Sequence, residues 1–170
     1  MAQKKVKITE KKQEVLNRLK SFGTNIYKQL DEGQFPTVNM PSRSTENITY
    51  DETLRQYILG DRSVGRSTRN IRHIKPFTQL AWVAMFSNEL TSQRKTSTLR
   101  DVYYSAQAYE MTFADQQESN NIITDLETLT GFAREEFNVF PEERSAIFGD
   151  LDVGYTVPGY EGKTVNLTSH

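Results

Sequence analysis

The 170-residue chain has no cysteine. That excludes disulfide scaffolds, cysteine-ligated zinc and thiol catalysis. Histidine is nearly as scarce: His73 and the terminal His170 are the only imidazoles. A His-rich metal site is therefore out, and a Ser-His-Asp triad has almost nothing to draw on. No apolar run approaches the roughly 18 residues of a membrane span. The N-terminus is basic, but it lacks the apolar stretch and small-residue cleavage site of a secretory signal. The expectation is a soluble, cytoplasmic protein with no membrane partner. The length suits one compact domain with an extra arm, large enough to bury a core without metals or crosslinks.

Net charge is also scarce, at -1, but the balance is local rather than even. Residues 1–30 carry eight Lys/Arg against two Glu. Residues 31–53 carry one Arg against five acids, and residues 54–104 nine bases against three acids. Residues 105–170 carry three bases against twelve acids. A basic band of this kind can bind nucleic-acid phosphate while the remaining surface stays acidic. An unevenly charged, merely solvated surface has the same composition.

The hydrophobic pattern divides the chain into four stretches. In residues 1–34, Val15, Leu19, Phe22, Ile26 and Leu30 recur at spacings of three and four, which predicts an amphipathic helix over 9–31 stopped at Gly33. Its apolar stripe belongs either on the chain's own body or on a partner. Residues 35–75 form an extended arm and a basic connector. Pro36 and Pro41 exclude a helix there, and short apolar runs around Ile48–Tyr50 and Tyr57–Leu59 predict two or three strands. Arg62, Arg66, Arg69, Arg72 and Lys75 then make one basic stripe if the connector is helical, or a basic arm if it is a loop. Residues 76–152 read as three helices and a β-hairpin. The first helix, 76–92, is apolar almost all round, with Trp82 in the core. The second, 98–110, follows the candidate caps Thr96, Ser97 and Thr98. The third, 117–130, ends at Gly131. The hairpin pairs Glu136–Phe140 with Ala146–Asp152. Residues 153–170 read as an irregular tail. Three helices and a hairpin in that order predict a mainly α fold with a little β: a winged-helix, helix-turn-helix domain preceded by an N-terminal helix and an extended arm.

The segment Thr98-Leu99-Arg100-Asp101-Val102-Tyr103-Tyr104 carries the candidate chemistry. At 100° per residue, Leu99, Val102, Tyr103 and Ala106 share the core side and Tyr104 falls opposite. Arg100, four residues earlier, is its neighbour on the outer face. A guanidinium beside a phenol favours the phenolate and can grip a phosphate oxygen. An exposed Tyr in that setting is what a phosphotyrosyl-forming nucleophile needs. Half-buried Tyr-Tyr helices without catalysis have the same spelling. Asp101 either orients Arg100 or caps the helix.

Several blocks, in order, resemble the A subunits of archaeal DNA topoisomerase VI, the type IIB topoisomerase family that includes the meiotic double-strand-break transesterase. They are Pro41-Ser42-Arg43-Ser44, Asn47-Ile48, Tyr50-Asp51, Leu59-Gly60-Asp61, Arg66-Ser67 and Lys75-Pro76-Phe77-Thr78-Gln79. After the Arg-Asp-x-Tyr-Tyr block come Gln116-Gln117-Glu118-Ser119 and Phe140-Pro141-Glu142-Glu143-Arg144-Ser145. Together they cover roughly 35–158.

The resemblance implies a winged-helix domain similar to that of the catabolite activator protein, with Tyr104 as the attacking residue and Arg100 assisting. Asp101 and Tyr103 would support them. The phenolate would attack a backbone phosphorus, leaving a 5′-phosphotyrosyl break for strand passage. A tyrosine ordinarily ionises near pH ~10, so cationic help is needed. The family also implies Mg²⁺, held in a Toprim domain that this chain would stop short of, and ATP bound by a partner B subunit. The implied assembly is an A2B2 heterotetramer on double-stranded DNA, built on an A-subunit homodimer and associated with the nucleoid. On this reading the chain alone is inactive and contains no metal ligands. Asp150-Leu151-Asp152 reads as a solvated acid pair on a strand. Arg66, Arg69, Arg72, Lys75, Arg94 and Lys95 are the expected phosphate contacts. Asn120, Asn121 and Thr124 are the expected DNA contacts among the outward polar residues of the recognition helix, with Thr128 the fourth such residue; the helix has no Lys or Arg and carries Asp125 and Glu127, which argues against strong sequence readout and suits reading of DNA shape. A non-catalytic winged-helix module for DNA binding or assembly stands as the alternative.

Overall fold

In a computed structural model, the described residues are 2–141, 152–154 and 164–166. Among the described residues, four α-helices and eight short strands follow in the order α1 (Ala2–Asp31), β1 (Thr37–Pro41), β2 (Ile48–Asp51), β3 (Gln56–Leu59), β4 (Ser63–Ser67), α2 (Ile71–Gln93), β5 (Ser97–Thr98), α3 (Leu99–Ala108), α4 (Gln116–Thr130), β6 (Val139–Phe140), β7 (Asp152–Gly154) and β8 (Thr164–Asn166). The architecture is mainly α, the sheets among the described residues are two-stranded, and α2, α3 and α4 make up the helical part of a winged-helix-like domain.

The core forms where the apolar stripes of the helices meet. Val15 and Leu19 of α1 are buried against Leu80 and Val83 of α2, Val102 and Ala106 of α3, and Ile122, Ile123 and Leu126 of α4 within one cluster. The N-terminal helix thus spends the first part of its stripe on its own body. Phe22 and Ile26 are only partly covered, and Leu30 at the end of the stripe is exposed. Trp82 is a core residue, its ring stacked on Phe86 at 5.1 Å between centroids.

α2 starts five residues earlier than Pro76 suggests. Asn70 caps it by accepting the Arg72 N–H at 3.0 Å, and Pro76 lies inside the helix. The proline withholds one backbone donor near the helix start, where the disruption is smallest. The basic connector is therefore neither a single helix nor a loop. Arg66 lies on β4, Arg69 in the following turn, and Arg72 and Lys75 on α2.

The arm is two antiparallel pairs, β1 with β4 and β2 with β3. Buried Asn47 organises it. Its Nδ2 donates to the carbonyls of Ser42 (2.7 Å), Gly60 (3.2 Å) and Arg62 (3.2 Å), and its Oδ1 accepts the Arg62 N–H at 2.9 Å. A Cβ on Gly60 would sit 2.9 Å from that oxygen, so the position admits glycine alone without a shift.

The wing departs most from expectation. Glu136–Phe140 is not one strand: Arg134–Phe137 is a 3₁₀ turn and only Val139–Phe140 is extended, pairing parallel with β5. The cause is Asn138, buried and left-handed at φ 64°, whose Nδ2 donates to the Lys95 carbonyl at 2.9 Å. The expected partner strand, Ala146–Asp152, lies outside the described residues except for Asp152, which opens β7. The antiparallel hairpin is instead Asp152–Gly154 with Thr164–Asn166, inside the segment expected to be irregular.

Candidate active site

α3 is held firmly at its start. Thr98 Oγ1 accepts the Asp101 N–H at 3.1 Å, and Asp101 Oδ2 accepts the Thr98 N–H at 3.3 Å. This reciprocal capping box satisfies two backbone donors left over at the helix start. The carboxylate of Asp101 thus fills the capping role, one of its two expected roles. Thr98 is at the same time paired to Phe140 through the β5–β6 ladder.

The helix then divides the adjacent tyrosines as the spacing predicts. Val102 and Ala106 are fully buried, and Tyr103 packs against the core. Tyr104 is 55% exposed. The two rings meet edge to face, with centroids 5.3 Å apart and planes at 63°. Arg100 is exposed one turn before Tyr104 on the same face. A cleft of about 390 Å³ lined by Thr96, Thr98, Asp101 and Phe140 opens beside the start of α3.

The basic residues fall into separate groups. Arg69 and Arg72 are exposed around the start of α2, with Lys75 one turn on. Arg94, the left-handed residue after the last turn, and Lys95 are exposed at its far end. At 1.5 Å per residue the two groups are ~33 Å apart along the helix, so they form no continuous band. Arg66 is engaged internally: it and Arg43 both ion-pair with the carboxylate of Asp125, which is buried on α4. This pairing clamps the arm onto α4. Lys75 bonds Glu118 at 2.8 Å, tying the start of α2 to that of α4. Burial works against the Glu118 carboxylate. The Lys75 ammonium, the Ala114 N–H and the Gln79 amide together outweigh it and hold the pKa below its ordinary 4.5.

On α4 the structure separates the three expected outward residues. Asn120 is half-buried, with its Oδ1 enclosed and unpartnered among the described residues. Thr124 is half-buried, donating to the Asn120 carbonyl at 3.0 Å and accepting from Arg134 at 3.4 Å. The Arg134 guanidinium is itself gripped by both oxygens of Glu127 at 2.8 and 2.7 Å; that bond keeps its pKa raised despite burial. Asn121 alone is exposed, and its Oδ1 accepts from the exposed Gln117 at 3.1 Å. Sequence reasoning passed over Gln117 because a polar residue opening a helix looks like part of a cap. The signal available was its spacing of four from a second amide.

Among the described residues, no group of three or more His, Asp or Glu side chains could hold a metal ion, and no helix is long and apolar enough to cross a membrane.

The fold and site define a class: winged-helix proteins whose helix-turn-helix carries a surface tyrosine one turn after an arginine. Residues 75–139 match the family described as type IIB DNA topoisomerase. The type 2 DNA topoisomerase 6 A subunit of Methanothermobacter thermautotrophicus is 45% identical over 139 residues, covering 81% of this chain and 39% of the relative. Its counterpart in Pyrococcus abyssi is 34% identical over 152 residues, covering 86% and 40%. That of Natronomonas pharaonis is 34% identical over 138 residues, covering 79% and 38%. The chain is thus similar over most of its length to type IIB DNA topoisomerase A subunits, and it spans about two fifths of the length of these relatives.

Proposed function

We propose that this chain supplies the nucleophile of a DNA-cleaving transesterase, the A-subunit part of a type IIB topoisomerase. The observation that carries the reading is the division of labour on α3: Tyr103 is spent on packing while Tyr104, beside it, stands half in solvent one turn from Arg100. The Tyr104 hydroxyl gives up its proton, and the phenolate oxygen attacks a backbone phosphorus. A phosphorus–tyrosine oxygen bond forms, the bond to the 3′ oxygen breaks, and that oxygen leaves as the 3′-hydroxyl after taking up a proton. One phosphodiester replaces another, so resealing is the reverse attack. Arg100 supplies positive charge to the phenolate or to the crowded phosphorus. Asp101 and Thr98 hold the helix on which both sit.

In the same reading, Arg69, Arg72, Arg94 and Lys95 meet backbone phosphates. Magnesium belongs to ligands outside the described residues, and ATP to a B subunit. The assembly holds two copies of each subunit on double-stranded DNA in the nucleoid.

The test is the assembled enzyme with B subunit, ATP and Mg²⁺, assayed for covalent 5′ adducts on supercoiled DNA. Tyr104→Phe abolishes adducts while Tyr103→Phe retains them. Adducts persisting in Tyr104→Phe would refute the assignment and leave a non-catalytic winged-helix module.

A further inference from the structure

We propose that Gln117 and Asn121 form a base-reading pair on α4 that gives DNA engagement a preference for A·T at one position. The inference rests on the DNA-cleaving reading above and adds to it a specificity determinant.

In a helix-turn-helix, residues in the early turns of the second helix reach base edges in the major groove, and neighbouring elements contact the backbone. Here that helix is α4, and burial leaves few candidates on it. Glu118 is bonded to Lys75, Asn120 is half enclosed, and Thr124 is engaged with Arg134. The exposed polar side chains of its first two turns are those of Gln117 and Asn121. They stand four residues apart on one face, joined by the bond from Gln117 Nε2 to Asn121 Oδ1 at 3.1 Å. That bond restrains two otherwise mobile amides. Among the described residues, nothing takes up the remaining Gln117 Oε1 acceptor or the Asn121 Nδ2 donor. Exchanging oxygen and nitrogen on both amides leaves the same complement. One acceptor and one donor side by side match the N6–H and N7 of adenine, the pattern that Asn and Gln read in the major groove.

The flank of this face is cationic and tied to α4 by bonds. Lys75 bonds Glu118, and Arg43 donates to the Asn121 carbonyl at 3.4 Å. Both cations are spent on carboxylates, Lys75 on Glu118 and Arg43 on Asp125, so they brace this face, and Arg69 and Arg72 at the start of α2 are left for the phosphates.

The experiment uses the complete A subunit in its assembly with the B subunit, ATP and Mg²⁺, and a random-sequence duplex library. Both the bound DNA and the covalently attached ends are sequenced, for the parent enzyme and for Gln117→Ala/Asn121→Ala, at equal recovered DNA. The parent is expected to enrich A·T about tenfold at one position, and the double variant to lose that enrichment, consistent with one bidentate contact. Arg72→Ala recovers less DNA with the same base distribution. A flat distribution in the parent, or an enrichment unchanged in the double variant, would overturn the proposal. If no attached ends form but the bound DNA shows the enrichment and the double variant loses it, the cleavage reading falls and the base-reading pair stands.

Discussion

Thr98 and Asp101 take up two of the backbone donors at the start of α3, and the tyrosines follow within the next two turns. Thr98→Ala should cost about 1 kcal/mol of stability, the ordinary value of a lost cap. A urea denaturation midpoint measures it, with m unchanged. The outward turn of Tyr104 was legible from the 100° step alone, because Val102 and Ala106 leave the helix one way to face. The capping role of Asp101 was legible only as one of several readings. Threonine followed three residues later by aspartate also reads as a solvated acid in a first turn, and only the two bonds distinguish them. Arg66 shows the reverse limit. It lies in a basic run, but its partner Asp125 is 59 residues away, a separation over which no local pattern operates.

Glu118 has a pH signature. Its folded pKa lies below the ordinary 4.5, so the stability it contributes is complete above that value and is lost as pH falls through the folded pKa. Lys75→Met removes the partner that Glu118 bonds most directly. Thermal melts between pH 3 and 6 should show the difference between parent and variant shrinking at the acid end. A difference constant across that range would show that the pair has no titrating share in stability.

Among the elements, the contact of the arm with α4 is the most consequential. β1 and β4 are joined to the helical body through the Asp125 carboxylate, which is 4% exposed, whereas Arg43 and Arg66 keep 37% and 21% of their side-chain surface. Asp125→Ala leaves two guanidinium groups without their shared acceptor and should cost roughly 3 kcal/mol. Arg43→Ala, at the more exposed end, should cost less than half of that, as measured by calorimetry. β4 lies in the connector that reads as a helix or a loop, whereas β2 and β3 in the arm and the helices in the body followed from short apolar runs and periodicity. The start of α2 did not, because Pro76 looks like a boundary while the cap is Asn70. The wing was misplaced because Asn138 in a left-handed turn breaks what reads as one apolar strand.

For the whole molecule, charge is sorted by position rather than by amount. Arg69 and Arg72 sit at one end of α2 and Arg94 and Lys95 at the other, while α4 between them offers amides rather than cations. Electrostatic affinity should therefore come from a few separated contacts. Arg72→Ala is expected to weaken DNA binding uniformly across sequences and to lower the slope of log K against log salt by ~1. Fluorescence anisotropy over roughly 50–300 mM salt reads that slope. The family was legible because its motifs sit in the loops and helix starts that this architecture needs: Asn47 with Gly60 in the arm, Thr98 with Asp101 before the tyrosines.

The double anchoring of α3 has a mechanical consequence. Its first residues are fixed both by the cap and by the parallel pairing to Phe140. Tyr104 lies five residues beyond Leu99, ~7.5 Å along the axis. The phenol is thus mounted on a short, stiff post clamped at its base. A post of that length has little swing of its own, so the travel left to the phenol is that of its own side-chain torsions about a fixed base.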